Sequence, residues 1–289
     1  MRAFATAAEM LPGRSGAGAI ARRIVAASTE MRVRRGVTAL LLFLLFWYVA
    51  VSLKGWLGIA VPWVGRLPSP GSVFAAWLGL LGDPGYWQSA YLSSMRVMVG
   101  FLAAMLIGIP VGLAAAVNRY FYDVFYPSFE ILRPIPPLAW VPLSLIFWPT
   151  QEMSIASVTF LGAFFTIVIN VISGARSIDR RLIRAAQSMG ATRWHLFSKV
   201  VLPATLPSIV TGAAVGMGIT WEVVVAAEMI STGGHAGGGG LGFFIWNSYV
   251  GGSLPQIVVG MISIGIAGYV SSALIRLLGH ALMPWLRLR

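Results

Sequence analysis

Apolar runs of bilayer length decide what this chain can become. A helix crossing the roughly 30 Å hydrocarbon layer needs about 20 consecutive apolar residues. Such runs stand at 37–53, 97–117, 153–172, 206–230 and 254–275. A shorter one flanked by prolines, PLAWVPLSLIFW, occupies 137–148. Alone it is short enough to be re-entrant or buried, but residues borrowed from FYPSFEILRP (125–134) let it reach the other side. Of the 289 residues, 57% are hydrophobic and 10% charged, against about 25% charged in an average soluble domain. One water-facing core cannot hide that much apolar surface. The bilayer is therefore the solvent, and the reading is an all-α integral membrane protein with six transmembrane helices.

The formal charge of +12 invites a nucleic-acid partner, and the placement of the cations argues against one. Arg2, Arg14, Arg22, Arg23, Arg32, Arg34 and Arg35 precede the first run. Arg119 and Arg133 fall in the second loop, Arg176, Arg180, Arg181, Arg184, Arg193 and Lys199 in the fourth, and Arg276, Arg287 and Arg289 at the end. With six crossings these 18 of 21 cations share one side, leaving Lys54, Arg66 and Arg96 for the other. The positive-inside rule then puts both termini in the cytoplasm. The charge is a topology signal, membrane lipids are the surroundings, and no nucleic acid is expected. The long arginine-rich leader fits an uncleaved first span better than a signal peptide. Residues 65–87 read as an extracytoplasmic loop with a short helix bounded by Pro68, Pro70 and Pro84. Cysteine is absent, and His195 and His235 are isolated, so no metal site is expected.

The fourth loop is the unusual one. RAAQSMGATRWHLFSKVVLP (184–203) predicts a helix over 180–189 capped by Ser177 or Asp179. Gly190 stands where a left-handed turn ends it, and Thr192 caps a second helix over 193–201. Leu182, Ile183, Ala186 and Met189 share one face of the first helix. Two readings stay open: a solvated basic loop lying on anionic headgroups, or an element that lays one face in a partner's groove.

The same stretch resembles the EAA loop of bacterial binding-protein-dependent ABC importers: Glu-Ala-Ala, three residues, Gly, nine residues, Ile, one residue, Leu-Pro. Ala185, Ala186, Gly190, Leu202 and Pro203 match in register, while Arg184 replaces the glutamate and Val200 the isoleucine. RPIPPLAWVPL (133–143), AAQSMGA (185–191) and WEVVVAAEMI (221–230) are similar to permeases of the nitrate, sulfonate, taurine and bicarbonate group. The resemblance covers about Ser89 to the end. It implies a MetI-like type I importer permease fold over 89–280, with a basic cytoplasmic tail at 1–36. A first span and loop occupy 37–88, the coupling loop 177–203, and a C-terminal tail 281–289. It further implies a bacterial inner-membrane protein that pairs with a second copy or a paralogue. Two ABC ATPase subunits lie beneath, and a periplasmic or lipid-anchored substrate-binding protein above. Leu182, Ile183, Ala185, Ala186, Met189, Gly190, Arg193, Trp194, Leu202 and Pro203 are its ATPase-coupling residues.

A phosphate-cradling loop needs a lysine in a Gly-x4-Gly-Lys-Ser/Thr setting. The only lysines are Lys54 in KGW and Lys199 in KVV. The expectation is that this chain binds no cofactor, and that ATP and Mg²⁺ sit on the partner ATPase. GGHAGGGGLG (233–242) is either a flexible connector or a contact near an outer gate. Ionisable groups inside a bilayer are costly and therefore informative. Glu222, in the outer half of the fifth span, lines a cavity or pairs with another buried polar group such as Arg96; Glu228 lies near that span's outer end. Arg133 meets an anion or anchors in headgroups, and Trp140, Trp148, Trp221 and Trp246 read as interfacial residues more than as site walls. Arg133, Trp140, Trp221, Glu222 and Glu228 are the pathway candidates. An ion-coupled secondary transporter and a membrane-embedded enzyme are the rival readings. Both need more buried acids than these spans hold.

Overall fold

The structure, a computed structural model, describes residues 34–53, 67–231 and 239–285. The remaining N-terminal tail, the loop 54–66, most of the glycine-rich run and the last four residues lie outside the described residues. The chain divides into two compact units, Met1–Ser72 and Val73–Arg289. In the first, α1 (Arg34–Leu53) is an apolar helix long enough to cross a bilayer.

All described elements are helical. After α2 (Pro70–Leu80), Asp83 caps the start of α3 (Pro84–Val117) by accepting from the Gly85 N–H at 2.9 Å. This helix begins well before the expected 97, because Ser93 and Arg96 do not end it; both are buried against other elements. At 34 residues it is about 51 Å long, more than a bilayer's hydrocarbon thickness. Asn118 caps α4 (Arg119–Leu132), which gives way to a 3₁₀ turn (Pro137–Trp140) and α5 (Val141–Phe147). Thr150 then caps α6 (Gln151–Arg176).

Glycines show how these helices lie. A Cβ on Gly100 would strike Thr159, and one on Gly112 would meet Val171 at 2.8 Å. The offset is constant, so α3 and α6 run parallel with backbones in close approach, the usual use of small residues between membrane helices. The segment between them must therefore return the length of the bundle. It does so as α4, the turn and α5, broken where Pro134, Pro136 and Pro137 withdraw N–H groups and φ freedom. The expected third span is thus a broken crossing, and five helices among the described residues are long and apolar enough to span singly.

On α4, Tyr122 stacks on Tyr126, Tyr126 and Phe125 each lie against Phe129, and Phe129 meets Phe164 and Phe165 of α6. The Arg176 guanidinium lies 3.4 Å over the Tyr122 ring, joining the ends of α4 and α6.

The basic loop follows: α7 (Arg180–Ser188), α8 (Arg193–Leu196) and a loosely wound π turn (Phe197–Val201) leading into α9 (Leu202–Ser231). The second helix of the loop is not separate from the fifth span, because helix runs unbroken from Arg193 to Ser231. Pro203 offers no N–H to the preceding turn, and the helix there widens rather than ends. Gly174 against Ser208 and Gly212 against Asn170 set α9 antiparallel to α6. Next come α10 (Leu241–Val250) and α11 (Leu254–Leu282). Gly279 against Val210 and Gly268 against Trp221 set α11 antiparallel to α9. The bundle has a basic end, carrying α7 and α8, and a far end, carrying α10.

Candidate functional site

Two places in the second unit concentrate chemistry, one at each end. At the far end α3 contributes Ser93 and Arg96, α6 Glu152, and α9 Glu228. The Arg96 side chain is 4% exposed and that of Glu228 0%. Arg96 Nη1 donates to Glu228 Oε1 at 2.9 Å and to the Gly239 carbonyl at 2.8 Å. Ser93 Oγ lies 2.8 Å from both Glu228 oxygens, donates to that carboxylate, and accepts from the Leu241 N–H at 2.8 Å. The Gly242 N–H donates to Glu228 Oε2 at 2.9 Å. Gly240 has φ 114° and no room for a Cβ beside Glu228, so only glycine lets the chain close over the carboxylate. The other edge of Arg96 serves Glu152: Nε donates to Oε2 at 2.8 Å and Nη2 pairs with Oε1. Glu152 is 60% exposed, so the guanidinium has one edge locked inside the protein and one facing an accessible carboxylate.

This differs from a pairing of Arg96 with Glu222, one of the alternatives that the sequence leaves open. Glu222 is exposed on a face of α9 it shares with Thr211, Val215 and Gly218, and it shares no contact with Arg96. The helical turn explains the choice: six residues separate Glu222 from Glu228, which points them about 240° apart. Of the other pathway candidates, Trp221 is buried, its Nε1 donating to Ser271 Oγ at 3.1 Å, and so is not an interfacial residue. Trp140 is half-buried in an apolar cavity of about 310 Å³ with Phe147, Trp148 and Phe160. Arg133 is exposed beside Glu130 at 3.2 Å.

At the basic end the capping signals stand where the sequence places them. Asp179, not Ser177, accepts from the Arg181 N–H at 2.8 Å. Gly190 has φ 78°, with its N–H donating to Gln187 O at 2.9 Å and the Ala191 N–H to Ala186 O at 3.1 Å. Thr192 accepts from the His195 N–H at 3.3 Å. Leu182, Met189 and Trp194 are exposed among the cations. Ala185 and Arg193 are exposed and Ile183 half-buried. Ala186 is buried on the face of α7 that it shares with Leu182 and Met189. With Leu182, Met189, Lys199, Val200 and Pro203 it lines a cavity of about 720 Å³. Leu202 begins α9.

Glu152 and Ser93 are the residues of this cluster that sequence reasoning missed, whereas Gly239–Gly242 belong to the run read as a connector or a contact near an outer gate. The chain has only nine acidic residues, and Glu152 opens an apolar run facing the side where Arg96 is one of three cations. That scarcity was the available signal.

Residues 108–288 match the family described as binding-protein-dependent transport system inner membrane component. The chain is 32% identical over 262 residues to the nitrate import permease protein NrtB of Synechocystis sp., covering 88% of this chain and 90% of that protein. It is 34% identical over 224 residues to the taurine transport system permease protein TauC of Escherichia coli, covering 76% and 80%. The fold is similar to that of the methionine ABC transporter MetNI in an inward-facing form, with TM-score 0.56 and 25% identity over 70% of this chain and 98% of that one. The matched stretch takes in the glycine-turned basic loop, α9 with Glu228 and the helices after it, and the chain belongs to the inner-membrane components of binding-protein-dependent transport systems.

Proposed function

We propose that this chain is the membrane-spanning permease of an ATP-driven importer for a small oxyanion or organosulfonate, and that it couples through α7 and α8 to a separate ATPase. The observation that carries the coupling is the exposed apolar set Leu182, Met189 and Trp194 on a short capped loop held by left-handed Gly190. Apolar side chains left outside the bundle beside cations suit a protein groove better than water. ATP and Mg²⁺ belong to that partner. Its closure on ATP would push α7 and α8, and the unbroken helix from Arg193 to Ser231 would carry the displacement across the bundle.

The exposed face of α9 formed by Thr211, Val215, Gly218 and Glu222 suits pairing with a second copy around a shared pathway. A Cβ on Gly218 would meet nothing within this chain, which leaves room there for close approach. The basic end faces the cytoplasm of a bacterial cell with both termini, and the far end faces the binding protein. The relatives named for nitrate and taurine support the substrate class.

Reconstitution tests it. The chain, with a partner ATPase and a substrate-binding protein, should accumulate nitrate, bicarbonate, taurine or methanesulfonate in proteoliposomes only when ATP is supplied. Accumulation without an ATPase, or of none of these anions, overturns the reading.

A further inference from the structure

We propose that Arg96 is a latent oxyanion site at the far end, and that the Glu152 carboxylate is an internal stand-in which a substrate anion displaces. The inference rests on the oxyanion reading of the substrate above, and deepens it by naming where the permease first receives the anion.

The argument begins with the two edges of one guanidinium. The Nη1 side is held by Glu228 and the Gly239 carbonyl, and Glu228 in turn by Ser93 and the Gly242 N–H. That edge is buried and has no reason to move. The Nε and Nη2 side forms a two-point fork, and a planar carboxylate fills it side-on. Arginine forks match any planar or trigonal oxyanion whose oxygens are spaced as in a carboxylate, so nitrate, bicarbonate and a sulfonate head all fit the same pair of donors.

The asymmetry in exposure makes the exchange feasible. Glu152 is 60% exposed, whereas Arg96 is 4% and Glu228 0% exposed. Glu152 can swing into water with little desolvation to reverse, while Arg96 stays fixed in place by Glu228. Replacing one monoanion by another also leaves the local charge unchanged, so no buried cation is uncovered. Glu152 belongs to the first turn of α6, whose N-terminal N–H groups favour negative charge whichever anion occupies the fork.

A structural latch and an exchange site predict different things. In a latch, Glu152 does nothing but tie α6 to α3, and its loss destabilises the bundle equally in every salt. In an exchange site, its loss opens the fork to external oxyanions. Hydrogen bonds to charged groups contribute about ten- to hundredfold in an equilibrium. Removing the internal competitor should therefore lower the anion concentration needed by about that factor.

The test is thermal unfolding of the full chain with its ATPase in lipid nanodiscs, titrated with sodium nitrate or sodium methanesulfonate at an ionic strength held constant with chloride. Glu152→Ala should show a saturable upward shift of a few degrees in nitrate and methanesulfonate over chloride. The wild type should need at least about tenfold more anion. The double variant Arg96→Lys with Glu152→Ala keeps a positive charge without the fork, and should show no such shift. If Glu152→Ala does not assemble, Glu152→Gln serves, with the same order of anions expected. The proposal is overturned if the single variant unfolds at one temperature in all salts, or if the double variant responds as strongly. Wild-type uptake separates this outcome from the substrate reading. Anion stabilisation of Glu152→Ala in a transporter that carries none of these anions sinks the substrate reading and leaves the site. Uptake of an oxyanion with no anion response does the reverse.

Discussion

Glu228 shows how one residue can organise a whole end of a membrane bundle. A carboxylate with no exposed surface survives there because Arg96, Ser93 and the Gly242 N–H share its oxygens. Glu228→Ala leaves Arg96 half-served in a buried setting and frees the Ser93 and Gly242 partners. The expected loss is about 3 kcal/mol, read as a lower unfolding temperature in detergent. Glu228→Gln keeps the shape and one acceptor, and should lose clearly less. Equal losses from both would show that the charge on Glu228 contributes nothing to the bundle. Gly240 belongs to the same unit: Gly240→Ala must push a methyl toward Glu228 at a φ that L residues rarely adopt, so it should mimic the alanine variant.

Among the elements, α7 and α8 are the pair on which the proposed coupling rests. Asp179, Gly190 and Thr192 make the loop rigid through backbone bonds, without burying much of it. Leu182→Asp puts a charge on an exposed side chain and should leave the unfolding temperature of the isolated permease unchanged. In a detergent pull-down it should release the ATPase, since the carboxylate would be desolvated there without a partner. Retention of the ATPase at wild-type level excludes this face as the contact. Gly190→Val works differently. It strains a left-handed turn by about 1 kcal/mol or more, re-aims α7, and should cost both ATPase binding and uptake while the spans still insert. Ala186→Asp is a poorer probe than the sequence suggests, because Ala186 is already buried within this chain. The α3–α6 seam offers a control: Gly112→Val meets Val171 directly and should destabilise the bundle itself.

Over the whole molecule, the parallel pairing of α3 with α6 and the antiparallel pairings of α9 with α6 and of α11 with α9 set which ends lie together. They put Ser253 at the end opposite Ser177. The chain has no cysteine, so single cysteines report without background. Ser72→Cys and Ser253→Cys should react with an impermeant thiol reagent in intact cells, and Ser177→Cys should react only after the membrane is opened. Labelling of Ser177→Cys from outside would invert or break the six-crossing topology.

Much of this protein follows from sequence through local physics. Hydropathy locates the spans, because twenty apolar residues have one favourable solvent. The caps at Asp179 and Thr192 and the turn at Gly190 are legible because a helix terminus is decided by residues within one turn of it. Arg133 to Pro137 announces a break, though not that the third crossing is two helices with a 3₁₀ turn between them. What sequence could not decide was partnership across the bundle. Arg96 had Glu152, Glu222 and Glu228 within reach by depth, and depth is all that hydropathy measures. The choice turns on helix rotation and crossing, which glycine contacts at positions such as Gly100, Gly112 and Gly212 set through packing between distant segments. That packing faces Glu228 inward, leaves Glu222 outside, and turns the exposed Glu152 onto the open edge of the buried arginine.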